Sequence, residues 1–358
     1  MNALVLVGGQ GTRLRPLTYE IPKPLLPIVG RPMIFEIVEW LASHGVTKVV
    51  FALGHQSDAF LAAFSSGEHA GVVVVTATEP DPRDTAGAIA FAADYAGVAD
   101  ELLIVINGDI ITDLDIGDLI RFHEQHAGSA TIALTPVKDP SAFGVVSTDQ
   151  FGRVIAFIEK PAIGEAPTNM INAGTYVLEP SVLKMIARNV PVSIEREIFP
   201  ELVRTGELFA KASESYWLDT GTPERYLQAQ WDVLRGLRPQ VILPDHLEIS
   251  RGVLAAADAR VMGEVIGANF FGARSSVART ASVRDCVIEA GAVIASGTRL
   301  DESVVMTGAM VDCDSVIERS IIGPYARIGA SSQISDSIVG ARVHVERETR
   351  ASGARLAL

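Results

Sequence analysis

The order of hydrophobic and polar residues predicts an α/β domain in the N-terminal part of the chain, up to about residue 138. Short apolar runs, each about the length of a buried strand, alternate with stretches whose apolar residues recur at helical spacing. The predicted strands are residues 4–7, 48–53, 72–77 and 102–106, and the predicted helices are residues 33–43, 57–64 and 86–96. This alternation is typical of a mostly parallel sheet with helices on both faces. Ligands of such sheets bind beyond the carboxyl ends of the strands, where residues 8–13, 79–87 and 107–109 fall.

Residues 140–240 have a more mixed pattern. Short strands are predicted at residues 144–147, 154–158 and 172–178, and a last helix runs from Pro223 to about Arg235. Thr222 is suited to cap that helix, with Pro223 at its first position. Arg238 and Pro239 then end the helical pattern. We therefore predict one domain over residues 1–238 and a second over residues 239–358.

A repeat of about 17 residues dominates the chain beyond residue 250. Apolar segments recur at this step over residues 286–288, 303–305, 320–322 and 337–339. Two further apolar series keep the same step: Val277, Ile294, Val311, Ile328 and Val345, then Val283, Leu300, Ile317 and Ile334. The spacing within each repeat predicts a parallel β-helix with three short faces, whose corners we assign to Gly291, Gly297, Gly308, Gly323, Gly329 and Gly340. Because each coil needs neighbours, the stack is mainly architectural, and we expect it to mediate a homo-oligomer.

A glycine-rich turn follows the first predicted strand. Glycines at 8, 9 and 11 leave backbone N–H groups accessible to a ligand. Arg13, Arg15 and Lys23 follow, and the prolines on both sides of Lys23 predict an extended backbone there. A strand, a glycine turn and fixed cations suit a polyphosphate, although a tight turn with solvated basic residues gives the same pattern. The turn has neither the Lys-Ser/Thr of a P-loop nor the glycine order of a dinucleotide fold.

The amino-acid composition restricts the classes of binding partner. The 30 basic and 43 acidic residues give a net charge of −13, which argues against nucleic acid or an anionic membrane as a partner. Cys286 and Cys313 lie in no metal-type spacing and are predicted to be free thiols in a reducing compartment. The sequence contains neither an apolar run long enough to span a bilayer nor a recognisable signal peptide. We expect a cytoplasmic protein.

Two carboxylates, Asp109 and Asp219, are left without an evident structural role. Asp109 follows a predicted strand, while the next helix is better capped by Asp115. Asp219 precedes Thr222, which can itself cap the following helix. Two such carboxylates suit Mg²⁺, which takes one or two carboxylates together with substrate phosphates.

These motifs together resemble the sugar-1-phosphate nucleotidyltransferases, or NDP-sugar pyrophosphorylases. The resemblance is carried by residues 8–18 (GGQGTRLRPLT) and 22–25 (PKPL), and by the shorter motifs at residues 107–109, 159–161, 172–174 and 217–221. Within the family, residues 193–200 (SIEREIFP) are most similar to the mannose-1-phosphate guanylyltransferase branch. The resemblance implies a Rossmann-like, GT-A-like mixed sheet followed by a left-handed β-helix.

The resemblance also implies a reaction and its residues. A sugar 1-phosphate would attack the α-phosphorus of a nucleoside triphosphate in the presence of Mg²⁺, giving an NDP-sugar and pyrophosphate. Arg13 and Lys23 would be catalytic, and Asp109 and Asp219 would bind the metal. The implied nucleotide-binding residues are Leu6, Gly8, Gly9, Gly11, Thr12, Arg13, Thr85, Ala86, Gly87 and Gly108. The implied sugar-phosphate residues are Gly144, Glu159, Lys160 and Asn172.

The nucleobase and the reaction class leave alternatives. The base loop of the family usually reads Pro-Leu-Gly-Thr-Ala-Gly, whereas here Arg83 and Asp84 replace the Leu and the first Gly. GTP with mannose 1-phosphate is the expected pair, with uridylyl, thymidylyl or adenylyl transfer to glucose 1-phosphate as alternatives, or guanylyl transfer to a sugar-like phosphate. From other classes, a β-helix acyltransferase would need a catalytic histidine such as His344, which reads better as a surface residue. A non-catalytic regulatory subunit would have lost charged positions that are filled here.

Overall fold

A computed structural model describes residues 1–54, 57–238, 246–250 and 252–358, with the backbone alone at Ser57 and residues 246–249. The helices are α1 Met33–Ser43, α2 Ser57–Ala63, α3 Asp84–Ala96, α4 Ile116–Glu124, α5 Pro180–Met185, α6 Phe199–Thr205 and α7 Pro223–Leu234. The first strands are β1 Asn2–Leu6, β2 Pro27–Ile28, β3 Arg31–Pro32, β4 Lys48–Leu53, β5 Glu68–His69, β6 Val72–Thr78, β7 Leu103–Asn107, β8 Ile110–Thr112, β9 Ala130–Pro136, β10 Gly144–Thr148, β11 Val154–Glu159, β12 Met170–Leu178, β13 Leu208–Ala212 and β14 Trp217–Asp219.

The later strands are short and regularly spaced. They are β15 His246–Ser250, β16 Val253–Ala256, β17 Arg260–Val261, β18 Glu264–Ile266, β19 Asn269–Phe271, β20 Ser276–Val277, β21 Ser282–Arg284, β22 Val287–Ile288, β23 Val293–Ile294, β24 Arg299–Asp301, β25 Val304–Val305, β26 Met310–Val311, β27 Val316–Glu318, β28 Ile321–Ile322, β29 Arg327–Ile328, β30 Gln333–Ser335, β31 Ile338–Val339, β32 His344–Val345, β33 Arg350–Ser352 and β34 Arg355–Leu356.

The chain divides into two compact units. The first, which we call the sheet unit, comprises Met1–Gly9 and Ile34–Leu218. The second, the coil unit, comprises Gln10–Met33 and Asp219–Leu358, so most of the glycine-loop motif belongs to it. The predicted boundary at Arg238 and Pro239 stays a prediction, because Pro239 lies outside the described residues.

The sheet unit is built on a ten-stranded mixed sheet, as predicted. Its main strand order is β11-β10-β12-β7-β1-β4-β6-β5, and β9 joins β12 to β13. Strands β7, β1, β4 and β6 run parallel, because each is followed by a helical crossover, whereas β10, β11 and β12 pair antiparallel. β1, β4 and β7 are almost wholly buried, which explains their unbroken apolar runs, whereas β6 is partly exposed.

The predicted elements exist with small shifts at their ends. The first strand is Asn2–Leu6 instead of residues 4–7, and β7 ends at Asn107. Helix α3 begins at Asp84, two residues earlier than predicted. Thr222 caps α7 and Asp115 caps α4, since each side chain accepts a hydrogen bond from the backbone N–H three residues on.

Three parallel sheets of short strands form the coil unit beyond residue 252. Successive strands pair one 17-residue step apart, for example Val287 with Val304 and Ile288 with Val305. The predicted repeat is therefore confirmed, and the three-sheet arrangement fits a left-handed parallel β-helix. The inward residues of all three series are buried. Buried serines form a ladder inside the coils, where the N–H groups of Ser320 and Ser337 donate to the Oγ of Ser303 and Ser320, both at 3.1 Å.

All six glycines predicted at the corners of the coils lie between consecutive strands, and residues other than glycine share the corners with them. Three series that keep the step of the repeat have positive φ angles, between 43° and 73°: Arg274, Gly291, Gly308, Tyr325 and Arg342; Asp285, Glu302, Arg319 and Asp336; and Gly297, Asp314, Ser331 and Glu348. Gly323, Gly329 and Gly340 also lie in corners, between one strand and the next, but their φ angles are not positive. They are small because neighbouring groups press on them: a Cβ on Gly329 would lie 2.5 Å from the backbone N of Arg347.

Within the described part of the chain, no helix combines the length and apolar character that a membrane crossing needs. Both cysteines are free thiols, as predicted. Cys286 is buried in the coils, and burial raises the pKa of its thiol to about 12. His344 is exposed on β32, which agrees with its interpretation as a surface residue.

Candidate active site

The parallel strands of the sheet unit bring two glycine turns together. β1 lies between β7 and β4, so the strand order reverses next to β1, which is the usual ligand position in an open α/β sheet. Leu6 is paired with Asn107, and the N–H of Gly108 donates to the carbonyl of Leu6 at 2.8 Å. Gly8 and Gly9 follow β1 with exposed backbone, and no atom lies within 4 Å of a Cβ built on Gly9. A phosphate or ribose can therefore approach this backbone closely.

Close packing leaves no room for a side chain at Gly108. A Cβ there would lie 2.9 Å from the Leu6 carbonyl oxygen and closer still to the Val7 side chain. Asp109 follows it, half-buried in the turn that joins β7 to β8.

The Thr85–Gly87 segment forms the first turn of α3 and is held against residues 192–195. The N–H groups of Ala86 and Gly87 both donate to the Val192 carbonyl, at 2.9 and 3.1 Å. The Thr85 hydroxyl donates to Glu195 Oε2 and accepts from the N–H of Ile194, both at 2.8 Å. These backbone N–H groups are already engaged, so a base bound here would need other hydrogen-bonding groups.

Arg83 and Asp84, the two departures from the usual base loop, have local structural roles. Asp84 adopts a φ of 56°, and its Oδ1 accepts from the N–H of Thr85 at 2.7 Å. Arg83 donates to Asn189 Oδ1 at 3.0 Å and lies over the Phe91 ring, 4.6 Å from its centre. Helix and loop packing accounts for both residues without a base contact.

Glu79 is a candidate that sequence reasoning did not single out. It lies just beyond β6, in the same loop as Arg83, and its Oε1 is buried without a hydrogen-bond partner in the described part of the chain. Burial raises the pKa of Glu79, and Arg83 opposes the shift through its charge and its backbone N–H. A buried carboxylate oxygen without a donor is costly unless a ligand supplies one.

The proposed sugar-phosphate residues cluster on β10, β11 and β12. Gly144 is paired with Glu159, and a Cβ on Gly144 would lie 2.9 Å from Glu159 Oε2. Lys160 follows with a φ of 51°, is exposed, and has its Nζ 3.3 Å from Glu159 Oε1. Glu159 and Lys160 therefore form an ion pair at the surface.

The side-chain amide of Asn172 makes hydrogen bonds within the protein. Its Nδ2 donates to the buried Tyr176 hydroxyl and its Oδ1 accepts from the N–H of Gly174, both at 2.9 Å. Burial, reinforced by the charges of Glu195 and Glu159, raises the pKa of Tyr176 well above its usual value. The Tyr176 hydroxyl therefore stays neutral and fixes the Asn172 side chain.

The cationic loop of the coil unit is folded by short helical turns. Gly11 has a φ of 58°, and its carbonyl accepts from the Thr18 hydroxyl at 2.8 Å. A Cβ at Gly11 would lie 3.0 Å from Thr18 and 3.2 Å from Lys23, so glycine is required. Lys23 begins a 3₁₀ turn, Lys23–Leu25, so the prediction of an extended backbone there is wrong. Thr12 and Arg13 lie in a similar turn, Thr12–Leu14.

Asp219 lies close to several cationic side chains of the coil unit. Lys23 Nζ lies 3.6 Å from Asp219 Oδ1, and Arg225 Nη1 lies 3.6 Å from Asp219 Oδ2. The N–H of Gly221 donates to Asp219 Oδ1 at 2.8 Å, and the Arg13 guanidinium packs against Gly221. The interpretation that Asp219 lacks a structural role is therefore wrong. Three cations around one carboxylate leave a net positive charge, which suits a polyphosphate.

The two carboxylates predicted to bind magnesium belong to different units, Asp109 to the sheet unit and Asp219 to the coil unit. Among the described residues, no three His, Cys, Asp or Glu side chains form a metal-binding group. Mg²⁺ commonly takes only one or two carboxylates and completes its coordination with phosphates and water. Asp109 and Asp219, each partly accessible, fit that requirement in chemistry.

Comparison with known proteins identifies the class. Residues 2–236 match the nucleotidyl transferase family, and residues 265–357 match the GMPPB C-terminal domain. The chain therefore belongs to the nucleotidyl transferase family, whose members generally use a divalent metal.

Similar proteins narrow the class further. The chain is 37% identical over 304 residues to the mannose-1-phosphate guanylyltransferase of Mycobacterium tuberculosis, covering 84% of this chain and 78% of that protein. It is 38% identical over 254 residues to the mannose-1-phosphate guanyltransferase beta-B of Xenopus laevis, covering 70% and 69%. The crystal structure of HddC from Yersinia pseudotuberculosis complexed with GMP-PN is similar at a TM-score of 0.56 and 29% identity, covering 65% of this chain and 99% of that one.

Proposed function

We propose that this chain is a mannose-1-phosphate guanylyltransferase, which converts GTP and mannose 1-phosphate to GDP-mannose and pyrophosphate. The observation that carries the proposal is the similarity to enzymes of that name over most of the chain, at 37% identity across 84% of it. The predicted branch of the family agrees with this similarity.

The reaction needs positioning and charge stabilisation from the protein. A phosphate oxygen of mannose 1-phosphate forms a bond to the α-phosphorus of GTP, and the bond from that phosphorus to the bridging oxygen of the β-phosphate breaks. Pyrophosphate carries away the electron pair. No protein nucleophile is required, so orientation and electrostatic stabilisation supply most of the rate enhancement.

The cations of the coil unit are suited to the triphosphate. Lys23 is only 6% exposed and is held by Asp219, which limits the freedom of its ammonium group. Arg13 and Arg225 lie on the same side-chain cluster. We assign to them, together with the Gly11 and Thr12 backbone, the neutralisation of the phosphates and of the departing pyrophosphate.

Asp109 and Asp219 would hold Mg²⁺. The ion supplies positive charge to the reacting phosphates when it is bound. Asp219 has a second task whether or not a metal is present, because it positions Lys23 and Arg225.

The sheet unit offers groups for the nucleoside and for the sugar phosphate. We assign the ribose and α-phosphate to the backbone at Gly8, Gly9 and Gly108, with Leu6 beneath them. The sugar phosphate would be held by Lys160, which is exposed and can leave Glu159 for a stronger anion. Glu159, beside the bare Cα of Gly144, can then accept from a sugar hydroxyl, and Asn172 forms part of the wall behind it.

Glu79 is suited to select guanine beside the Thr85–Gly87 turn. Guanine presents two neighbouring donors, N1–H and N2–H, whereas adenine presents an acceptor at N1. A carboxylate can accept from both guanine donors, and no described residue donates to the Oε1 atom of Glu79. Hydrogen bonds to a charged group are worth about 1.5–3 kcal/mol, or roughly 10- to 150-fold in affinity.

A pyrophosphate-release assay tests the proposal with Mg²⁺, mannose 1-phosphate or glucose 1-phosphate, and GTP, UTP, dTTP, ATP or CTP. We expect GTP with mannose 1-phosphate to give the highest kcat/KM. The Glu79→Gln variant should lose at least about tenfold of the preference for GTP over ATP. Asp81→Asn, an exposed carboxylate in the same loop, is the matched control. Turnover with another base or another sugar above that with GTP and mannose 1-phosphate would contradict the assignment.

We further infer a cytoplasmic enzyme that forms a homo-oligomer through its coils. The two free thiols support a reducing compartment. Exposed Met262, Met310 and Tyr325 on the coils support a self-association surface. Light scattering on the purified chain measures the oligomer, and a monomer at micromolar concentration would refute it.

A further inference from the structure

A pocket of about 410 Å³ lies within the coil unit. One side is Gly30, in the turn between β2 and β3, whose backbone packs against the Phe270 ring. The other sides come from three successive coils, at Ala256–Asp258, at Phe270–Ala273 and at Glu289 with Ala290, and from Thr307 on the next coil. Its volume falls in the range of small-molecule sites.

Glu289 makes this pocket chemically unusual. The residue is only 3% exposed, and its Oε2 accepts from both the N–H and the hydroxyl of Thr307 at 2.9 Å. Its Oε1 is buried and has no hydrogen-bond partner among the described residues. An ionised carboxylate in such a place is costly until a donor or a cation reaches the second oxygen.

The other lining residues favour a cation with an apolar body. Asp258 adds a second carboxylate, and none of the described lining residues is basic. Phe270 and several alanines and glycines form the remaining surface, so the walls are small and apolar. Two negative charges in a cleft with apolar walls concentrate a negative potential there, in a chain whose net charge is already −13.

We propose that this pocket is a binding site for a small organic cation, a primary amine on a short apolar chain, whose ammonium group donates to Glu289 Oε1. The alkyl part lies against Phe270 and the alanines. The site is separate from the residues assigned to nucleotidyl transfer, so this inference does not depend on the proposed reaction.

Binding of the amine depends on pH in a defined direction. Burial raises the pKa of Glu289 to about 7, against the two hydrogen bonds from Thr307. Among the described residues, Asp258 also lines the pocket, and Tyr226 on α7 interacts electrostatically with Glu289. The buried Tyr226 hydroxyl donates to the Pro27 carbonyl, and burial raises its pKa, so it stays neutral. An ammonium ion binds the ionised form, so affinity falls as the pH drops below about 7, approaching tenfold per unit.

The experiment is isothermal titration calorimetry of the full chain with 1-butylammonium chloride at pH 8 and fixed ionic strength. Neutral 1-butanol is the matched probe. We expect saturable binding of one amine per chain, at least about tenfold weaker binding in Glu289→Gln, and no change in Glu348→Gln, an exposed carboxylate on the same coils. Ala273→Leu, which fills the pocket and leaves Glu289 in place, should also abolish binding and serves if Glu289→Gln fails to fold.

Three results of the titration at pH 8 would overturn the inference, and a fourth comes from its pH dependence. They are the absence of saturable amine binding, equal binding of 1-butanol, and full retention of amine binding in folded Glu289→Gln or Ala273→Leu. Affinity that rises below pH 7 would also overturn it, because a protonated Glu289 would then be the binding form.

Discussion

Replacing Lys23 by Met is the sharpest test of the catalytic assignment. Lys23 is 6% exposed, and its Nζ lies 3.6 Å from Asp219 Oδ1. At an effective dielectric constant of about 20, two unit charges at this distance interact by about 4–5 kcal/mol before desolvation is subtracted. Loss of one preorganised charge contact to a transition state typically costs about 3–4 kcal/mol, so kcat should fall by about 10²- to 10³-fold.

The fold should survive this change. Breaking a buried ion pair costs about 3–5 kcal/mol when it strands a charge. Asp219 retains Arg225 and the N–H of Gly221, so we expect a smaller loss in Lys23→Met, measurable by thermal melting. Lys184→Met removes an exposed lysine paired with exposed Asp100 and should change neither kcat nor stability by a measurable amount.

Steady-state pyrophosphate release gives kcat and KM for each variant. A folded Lys23→Met enzyme with kcat within threefold of wild type would refute the reasoning.

Two stability measurements test other features of the coil unit. Gly30→Ala should lower the free energy of unfolding in urea by about 1–3 kcal/mol, because φ is 75° and the added Cβ would lie 2.9 Å from the Phe270 ring. Gly236→Ala, where φ is 72° and the added Cβ would meet open space among the described residues, should lose less stability. Equal losses in the two variants would contradict the packing argument. Glu289 has its pKa raised from 4.5 to about 7, so the folded state binds its proton more tightly and the cost of ionising Glu289 appears as the pH rises through this window. Glu289→Gln should therefore gain stability relative to wild type between about pH 4.5 and 7, by on the order of 3 kcal/mol, and a difference that does not vary with pH would contradict the shift.

The β-helix could be predicted in detail because its repeat is strict. Each face recurs once per coil at a constant step, and a register set by buried apolar residues leaves little choice. The corners could not be predicted as well, because Asp285, Glu302, Arg319 and Asp336 adopt an angle usually given to glycine. The cost of about 1–2 kcal/mol per residue is offset by stacking contacts such as that between Arg319 and Asp336, which a local rule does not contain.

The candidate site could be predicted from the sequence only in part, for a similar reason. The strand tips at Gly8 and Gly108 follow from the topology of a parallel sheet, and the sequence suffices for that inference. The prolines beside Lys23 suggested an extended chain, but a proline in the first turn of a 3₁₀ helix forfeits no hydrogen bond. The pairing of Asp219 with Lys23 and Arg225, and the buried oxygen of Glu79, depend on contacts between distant residues.

The discontinuous make-up of the coil unit has a consequence for synthesis on the ribosome. Residues 10–33 pack with the last third of the chain, and the Glu20 side chain is paired with Arg342, 322 residues later. At about 5–20 residues per second, roughly 15–65 s separate the emergence of the two partners. The segment that contains Lys23 can therefore complete its packing only after the final coils have been made, close to the end of translation.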